Sequence, residues 1–197
     1  MLGFTVVNVQ QRFDKVKDNT HVEASILLQI YRDSEVFSPE SGDLIRNAIK
    51  SYISNVVNDE WPLMADGKSS PKAEKSLDSI WRAYYDVEFE KAEQQTWYAE
   101  STSKLNQLMK VRVDRLVGSI ESLGSEMWSS LILGGLLVIS FLWFFGLDSL
   151  WAHILMASTI ALSIAFLLFL IYSLDTTFSG GVNIAPEAFE KVLSHLN

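Results

Sequence analysis

The side chains that most often carry catalysis or bind metal ions are few in this chain and form no recognisable set. The 197 residues include three histidines and no cysteine, which excludes disulfides, thiolate metal sites and a cysteine nucleophile. His21 lies in an apolar helical pattern without a second histidine at metal-ligand spacing, so a structural role is expected. Phosphate-binding loops, nucleophile elbows and zinc-protease motifs do not occur in the sequence. The sequence therefore predicts no catalytic residue, no cofactor site and no metal site, and it predicts that the protein is not an enzyme.

A run of four acidic residues is the other feature with potential chemistry: Asp86, Glu88, Glu90 and Glu93. The run has neither the turn glycine nor the ligand spacing of a calcium-binding loop, so it is interpreted as a solvated surface. The formal net charge of the chain is −8 at pH 7, and no stripe of basic residues is present to neutralise phosphates. Nucleic acid is therefore not an expected partner.

Two long apolar segments are the elements that most constrain the architecture. Residues 127–147 and residues 154–174 contain no charged side chain, and each segment is 21 residues long. At 1.5 Å per residue a helix of this length extends about 31 Å, which is enough to cross the hydrocarbon core of a bilayer. The loop at 148–153 is short, with turn signals at Gly146 and Asp148, so the two helices are expected to form an antiparallel hairpin. The alternative, two buried helices of a soluble protein, requires more covering chain than the sequence contains.

The distribution of basic residues predicts how this hairpin is oriented. Arg112 and Arg115 precede the first span, whereas the 148–153 loop contains neither lysine nor arginine. Because basic residues are retained on the cytoplasmic side, residues 10–126 and the 175–197 tail are expected in the cytoplasm. The 148–153 loop is then external, and the lipid bilayer is the expected partner of both spans.

Small residues inside the spans mark surfaces where helices can approach closely. They are Gly134 and Gly135 in the first span, and Ala157, Ala161 and Ala165, which recur every four residues on one face of the second. Two interpretations remain open. The small residues either pack the hairpin together, or they form an oligomer contact or line a pore.

The region between residues 10 and 126 is predicted to be a bundle of amphipathic helices. Apolar residues recur there at three- and four-residue spacing, and Ser-Pro pairs at Ser38 and Ser70 signal helix starts. The aromatic stripe from Trp81 to Phe89 is interpreted as bundle core. One predicted helix covers residues 10–36, and the next begins at residue 39 and stops at Trp61-Pro62. Two more are predicted at residues 71–89 and 97–123, with a break near 94–96 between them. A last one is predicted at residues 186–195 in the tail.

The first nine residues are apolar but too few to cross a bilayer as a helix. Residues 1–9 are interpreted as the end of a truncated transmembrane helix, with a segment lying at the membrane interface as the alternative. The fold class expected from the whole sequence is an all-α integral membrane protein. It is expected to combine a cytoplasmic helical bundle with a C-terminal transmembrane hairpin.

Several short patterns along the chain carry a resemblance to a known family. In the tail they are Leu174, Asp175, Phe178, Gly180, Pro186 and Phe189; elsewhere they are Arg12, Glu23-Ala24, the element Arg112, Arg115 and Leu116, and Gly134-Gly135. With these residues the chain resembles, over essentially its whole length, the bestrophin-like family of bacterial membrane proteins, distant relatives of the bestrophin chloride channels. It departs from the family pattern at Thr177, where proline is usual, and at Gly124-Ser125, where Leu-Pro is usual.

This resemblance implies an assembly and a function. It implies a multi-pass protein of the bacterial inner membrane, a homo-oligomer that conducts chloride or other anions, with residues 1–9 as the end of a span that lines the pore. The tail lacks the acidic cluster that binds calcium in bestrophins, so calcium gating is not expected. The alternative hypothesis is a non-conducting scaffold or sensor that recruits partners through its cytoplasmic helices, with the Trp81–Phe89 stripe as the binding surface.

Overall fold

The computed structural model describes residues 2–89, 91–144 and 149–196. Within these ranges the chain is helical and has no β-strand, which confirms the all-α class. The α-helices are α1 (Leu2–Asp33), α2 (Pro39–Asn55), α3 (Trp61–Met64), α4 (Pro71–Tyr85), α5 (Ala92–Ile120), α6 (Ser125–Phe141), α7 (Leu150–Asp175) and α8 (Glu187–Leu196). Two 3₁₀ turns, Ser34–Val36 and Leu142–Phe144, and a π-helical turn, Val56–Glu60, extend these helices.

The two longest helices, α1 and α5, form the centre of the bundle and run antiparallel. At one end of the pair the Lys104 ammonium lies 2.9 Å from an Asp33 carboxylate oxygen. Further along, Arg115 near the end of α5 pairs with Glu23. The remaining core lies between these helices, the α2–α4 pair and the C-terminal tail.

The helices α1 and α5 approach closely where Gly118 faces Val16. A Cβ atom placed on Gly118 would lie 2.4 Å from Val16 Cγ2, well inside van der Waals contact. We therefore expect Gly118→Ala to lower the free energy of unfolding by about 1–3 kcal/mol, because the two helices must separate to admit the methyl group. Denaturant unfolding followed by circular dichroism measures this change.

The double variant Gly118→Ala with Val16→Ala is the matched control, because it removes the atom that the new methyl group meets. It is expected to be more stable than the sum of the two single changes predicts. A Gly118→Ala protein that unfolds at the same denaturant concentration as the wild type would contradict this close approach of the helices.

The starts of α2 and α4 follow the predicted serine–proline signals. Ser38 Oγ accepts the backbone N–H of Ser41 at 3.3 Å, and Ser70 Oγ accepts the backbone N–H of Lys72 at 3.2 Å. In both helices proline stands in the first turn, where a missing N–H breaks no intrahelical hydrogen bond. Both predicted starts are confirmed.

The prediction that Trp61-Pro62 stops the second helix is wrong. The chain passes from α2 through the π-helical turn Val56–Glu60 into α3, with Pro62 in its first turn. Proline is tolerated in the first turn of an α-helix, and Pro62 is the second residue of α3. Because the helical path continues, Glu60 stays on its inner side and is fully buried.

The helix α5 begins at Ala92, earlier than the predicted residue 97, and has no break at 94–96. The reason is a side-chain cap that the sequence pattern does not reveal. Gln94 Oε1 accepts the backbone N–H of Lys91 at 3.0 Å, and Gln94 Nε2 donates to the carbonyl of Val36 at 3.0 Å. The cap starts the helix and also ties it to the end of α1.

The predicted loop at 148–153 is too long, because α7 already begins at Leu150. Ser149 caps this helix by accepting the backbone N–H of Ala152 at 3.4 Å, so residues 150–153 are helical. The predicted turn signals Gly146 and Asp148 lie outside the described residues. So do Met1, Glu90 of the acidic run, residues 145–147 of the predicted first span, and Asn197.

The aromatic stripe is core only in part. Tyr84 is 1 % exposed, as predicted, but Tyr85 is 72 % exposed and Phe89 is 42 % exposed. Neighbouring residues on a helix point about 100° apart, and on α4 this turn takes Tyr85 away from the core that Tyr84 faces. The helix α4 also ends at Tyr85, so Phe89 lies beyond the helix and is not part of its inner face.

Two segments are long and apolar enough to cross a membrane, Ser125–Phe144 and Leu150–Asp175. In the most apolar 18-residue window of each, only 17 % and 6 % of the residues are buried within the chain. A buried core helix of a soluble protein would show the opposite. The two segments therefore present large apolar surfaces that this chain does not cover.

Candidate functional site

Five polar side chains meet at the centre of the bundle and form the central charge cluster: Glu23, Tyr52, Glu60, Arg112 and Arg115. Arg115 is fully buried. Its Nε lies 2.7 Å from Glu23 Oε2, and its Nη2 lies 3.1 Å from Glu23 Oε1 and 2.8 Å from Glu60 Oε1. The planar guanidinium pairs with both oxygens of Glu23 and also reaches Glu60, whereas a lysine ammonium lacks this fork of donors.

Arg112 and Tyr52 complete the cluster. Arg112 Nη2 donates to Glu60 Oε2 at 2.6 Å, and the Tyr52 hydroxyl donates to Glu23 Oε1 at 2.6 Å. Two arginines and two glutamates balance, so the cluster carries no net charge. Both carboxylates are fully buried, and their pairing offsets the loss of hydration that burial of a charge entails.

The surroundings fix the protonation of two members of this cluster. Burial, reinforced by the Glu23 carboxylate, raises the pKa of Tyr52 well above its ordinary value, so the hydroxyl stays protonated and donates. Burial by itself would lower the pKa of Arg115, but the charge and hydrogen bonds of Glu23 outweigh it and hold that pKa above its ordinary value. With a neutral tyrosine and a charged arginine at neutral pH, the cluster is suited to holding helices together rather than to carrying protons.

The tail is anchored on the central charge cluster through aromatic rings. The Arg115 guanidinium carbon lies 5.3 Å from the centre of the Trp61 ring and 5.7 Å from that of Phe189. These two rings meet edge to face, 5.6 Å apart. Trp61 Nε1 also donates to the carbonyl of Ile184 at 3.0 Å. Cation–π and ring contacts therefore fix α8 and the segment before it to α3 and α5.

A second group of contacts, the junction cluster, lies at the C-terminal end of α7 and consists of Arg12, Leu123, Trp128 and Asp175. The Asp175 carboxylate pairs with the Arg12 guanidinium. Its Oδ1 also accepts the backbone N–H of Leu123 at 2.9 Å, and its Oδ2 accepts Trp128 Nε1 at 3.4 Å. One carboxylate thus joins α1, the α5–α6 connection, α6 and α7.

The tail beyond α7 contains one of the departures from the family pattern noted above. Thr177 is buried, and its hydroxyl donates to the carbonyl of Gly118 at 3.1 Å. Proline at this position would offer no hydroxyl for this bond. Gly180, two residues after Phe178, has φ +87°, a left-handed conformation that side chains with a Cβ disfavour.

The structure places the remaining residues of the tail pattern in the core of the bundle. Leu174, Phe178 and Phe189 are buried. The carbonyl of Pro186 accepts the N–H groups of Phe189 at 2.9 Å and of Glu190 at 3.0 Å, at the start of α8. The tail pattern therefore describes how the chain folds back onto the bundle after α7.

The small residues of the spans are not equivalent. A Cβ on Gly135 would lie 3.0 Å from Ile164 Cγ2, so Gly135 marks a close approach of α6 to α7, whereas Gly134 has open space around it. Ala157 and Ala161 are half-buried and Ala165 is exposed. A packing role for all five residues stays a prediction.

Sequence reasoning misses two members of the central charge cluster, Tyr52 and Glu60. A signal was present, because Tyr52, Val56 and Glu60 follow one another at four-residue spacing on a face that is otherwise apolar. A carboxylate that continues a buried face requires a buried cationic partner. That partner, Arg112, lies 52 positions away, at a distance that local spacing does not reveal.

Neither cluster has the features of a catalytic or metal centre. In the parts of the chain that the structure describes, no three histidine, aspartate or glutamate side chains group closely enough to hold a metal ion. The carboxylates of Glu23, Glu60 and Asp175 each accept hydrogen bonds from an arginine. What the two clusters can do is fix the relative positions of helices.

The fold and these clusters define a class of protein: an all-helical chain in which two helices able to span a membrane are joined to a helical bundle, with the Arg12–Asp175 ion pair at the junction. The family model of the bestrophin-like domain matches residues 1–189, and the chain belongs to this family. The relationship indicates a channel-like or transport membrane protein. Comparisons with curated proteins and with solved structures gave no match.

Proposed function

We propose that the chain is one subunit of an oligomeric anion channel of the bacterial inner membrane. In this proposal α6 and α7 cross the bilayer, and the bundle and tail lie on the cytoplasmic side. Membership of the bestrophin-like family supports the channel class. The two apolar segments, which are mostly exposed within the single chain, support the membrane location because lipid can cover them.

The observation that carries the anion-channel proposal is an exposed face on the first half of α1 that is apolar at Phe4 and polar from Asn8 onward. The side chains of Phe4, Asn8, Gln11 and Lys15 are exposed and recur at three- and four-residue spacing. The opposite face of the same helix, which includes Thr5 and Val9, is buried. A helix whose inner face is packed and whose outer face is polar is suited to facing water in an assembly.

Three members of this α1 face can attract anions, and the exposed Asp14 and Asp18 beside them are acidic. The amides of Asn8 and Gln11 offer N–H donors, and Lys15 adds a positive charge. Phe4 is apolar and can form a narrow hydrophobic constriction where copies of the helix converge. One exposed face cannot enclose a channel, so several copies around an axis are required.

Gln11 provides the test of this face. Because Gln11→Leu removes an amide donor while keeping the size of the side chain, we expect about a three- to tenfold lower rate of halide flux into liposomes. The matched control is Gln29→Leu, the same change at an exposed position on the same helix. Equal rates for Gln11→Leu and the wild type would contradict a pore-lining role, and no flux from any folded oligomer would contradict the channel.

A non-conducting scaffold is the second candidate function, and one surface favours it. The Trp81 and Tyr85 rings stack with their centres 6.2 Å apart, and Trp81 Nε1 lies 3.2 Å from the Met109 sulfur. Tyr85 and Met109 are exposed. If Tyr85→Ala abolished the function of the protein in cells while halide flux in liposomes stayed unchanged, this surface would be a recruitment site.

A further inference from the structure

The junction cluster has an unusual position in the fold. Asp175 is the final residue of α7, and Arg12 lies on α1 between Gln11 and Lys15 of the face proposed to line the pore. The Asp175 side chain is 7 % exposed and the Arg12 side chain is 20 % exposed. A charged pair at this burial is attracted more strongly than a surface pair, because water screens it less.

The contacts of Asp175 make it a single point of attachment for several elements. Arg12 Nη2 donates to the Asp175 backbone carbonyl at 3.3 Å in addition to its pairing with the carboxylate. The carboxylate also accepts from the Leu123 backbone and from the Trp128 ring. Trp128 in turn contacts Tyr172 of α7 edge to face, with ring centres 6.4 Å apart.

Arg12 is the side chain that pairs α1 with Asp175, and α1 also packs along α7. Arg12 Nε is buried and has no hydrogen-bond partner among the described residues, so only part of the guanidinium is engaged. Asp175 also lines a cavity of about 390 Å³ together with residues of the α3–α4 turn, the end of α5 and the start of the tail. The lining of this cavity includes Asp175 but, among the described residues, none of α1.

We propose that the pairing of Arg12 with Asp175 is a latch that sets the position of α1 relative to α7. With the latch closed, α1 is held against the end of α7. With the latch open, the first turns of α1 move while α6 and α7 stay joined through Trp128 and Asp175. The effect on conduction rests on the proposed function, whereas the restraint on α1 does not.

The position of α1 can be measured directly, because the chain contains no cysteine. Two introduced cysteines, Val7→Cys on α1 and Leu155→Cys on α7, both at exposed positions, carry spin labels in the reconstituted full chain. Leu155 lies about 30 Å along α7 from Asp175, which places the pair in the range of pulsed electron paramagnetic resonance. Dilution with unlabelled protein restricts the signal to pairs within one subunit.

We expect a single narrow distance in the otherwise wild-type protein and loss of that peak in Arg12→Gln. Arg12→Lys, which keeps the charge, is expected to retain the peak. Arg32→Gln is the matched control, since Arg32 is exposed at the other end of α1. If Arg12→Gln does not fold, Asp175→Asn replaces it. The amide oxygen of asparagine can still accept a hydrogen bond from Leu123 or Trp128, whereas the negative charge that pairs with Arg12 is lost.

An unchanged narrow peak in Arg12→Gln would overturn the latch. Where that variant does not fold, an unchanged narrow peak in Asp175→Asn would overturn it. Halide flux is measured on the same samples and separates the two proposals. A lost peak together with a change in flux of about fivefold or more supports both the latch and its control of conduction. A lost peak in a protein that shows no flux at all supports the latch and contradicts the channel.

Discussion

Replacement of Arg115 with methionine is expected to lower the free energy of unfolding by about 3–5 kcal/mol, because Glu23 would be left as a buried carboxylate without a cationic partner and Glu60 would keep only Arg112. Arg115→Lys is expected to fall between this variant and the wild type. It keeps the positive charge but lacks the planar fork that pairs with both oxygens of Glu23. Denaturant unfolding of the purified protein in detergent, followed by circular dichroism, measures the series.

Arg82→Met is the matched control for this series, since Arg82 is exposed and the same change there removes no buried partner. Its expected effect is small. The double variant Arg115→Met and Glu23→Gln tests the cause, because it removes the carboxylate that loses its cationic partner, while Glu60 keeps its pairing with Arg112. An Arg115→Met protein within about 1 kcal/mol of the wild type would show that the buried ion pairs do not stabilise the bundle.

The second large effect is expected at Phe189, which is fully buried against Trp61 and the Arg115 guanidinium. Phe189→Ala is expected to cost about 3–5 kcal/mol, through lost burial and the cavity that remains. The loss should also loosen α8, since Phe189 is one of its anchoring side chains. Hydrogen exchange is therefore expected to accelerate in residues 187–196 before it accelerates in α2 or α4.

Phe89→Ala is the matched control for Phe189→Ala, because the same atoms are removed from a ring that is 42 % exposed. It is expected to cost clearly less and to leave exchange in the tail unchanged. Equal costs for the two changes, or an unchanged exchange rate in α8, would contradict the anchoring of the tail on the central charge cluster.

Much of the helical architecture could be predicted from local signals. The serine–proline pairs at Ser38 and Ser70 give the starts of α2 and α4, and the two uncharged segments indicate α6 and α7. Where prediction failed, a side chain decided the boundary. Gln94 starts α5 earlier than the apolar spacing suggests, and Ser149 starts α7 inside the predicted loop.

The two clusters could not be assembled from the sequence because their members are far apart along it. Arg115 and Glu23 are 92 positions apart, and Leu123 and Asp175 are 52 positions apart. Helical spacing tells which face of a helix is buried, but it does not tell which buried charges will meet. The family resemblance did point to Arg12, Glu23, Arg112, Arg115 and Asp175 as residues, and the structure adds the contacts that they make.

These contacts give the family pattern a physical meaning. Its charged residues hold α1 against α5 through the central charge cluster and against α7 through the junction cluster. The helix that carries the proposed pore-lining face is therefore fixed at two heights, near Glu23 and at Arg12. Such fixing is what a helix needs if its free face is to line a pore of constant width.

The measurement that tests anion conduction most directly is the reversal potential of the purified oligomer in a planar bilayer with a potassium chloride gradient. The account predicts a current that reverses close to the equilibrium potential of chloride and that is smaller in Gln11→Leu than in Gln29→Leu. A folded oligomer that carries no current, or a current that reverses close to the equilibrium potential of potassium, would contradict it.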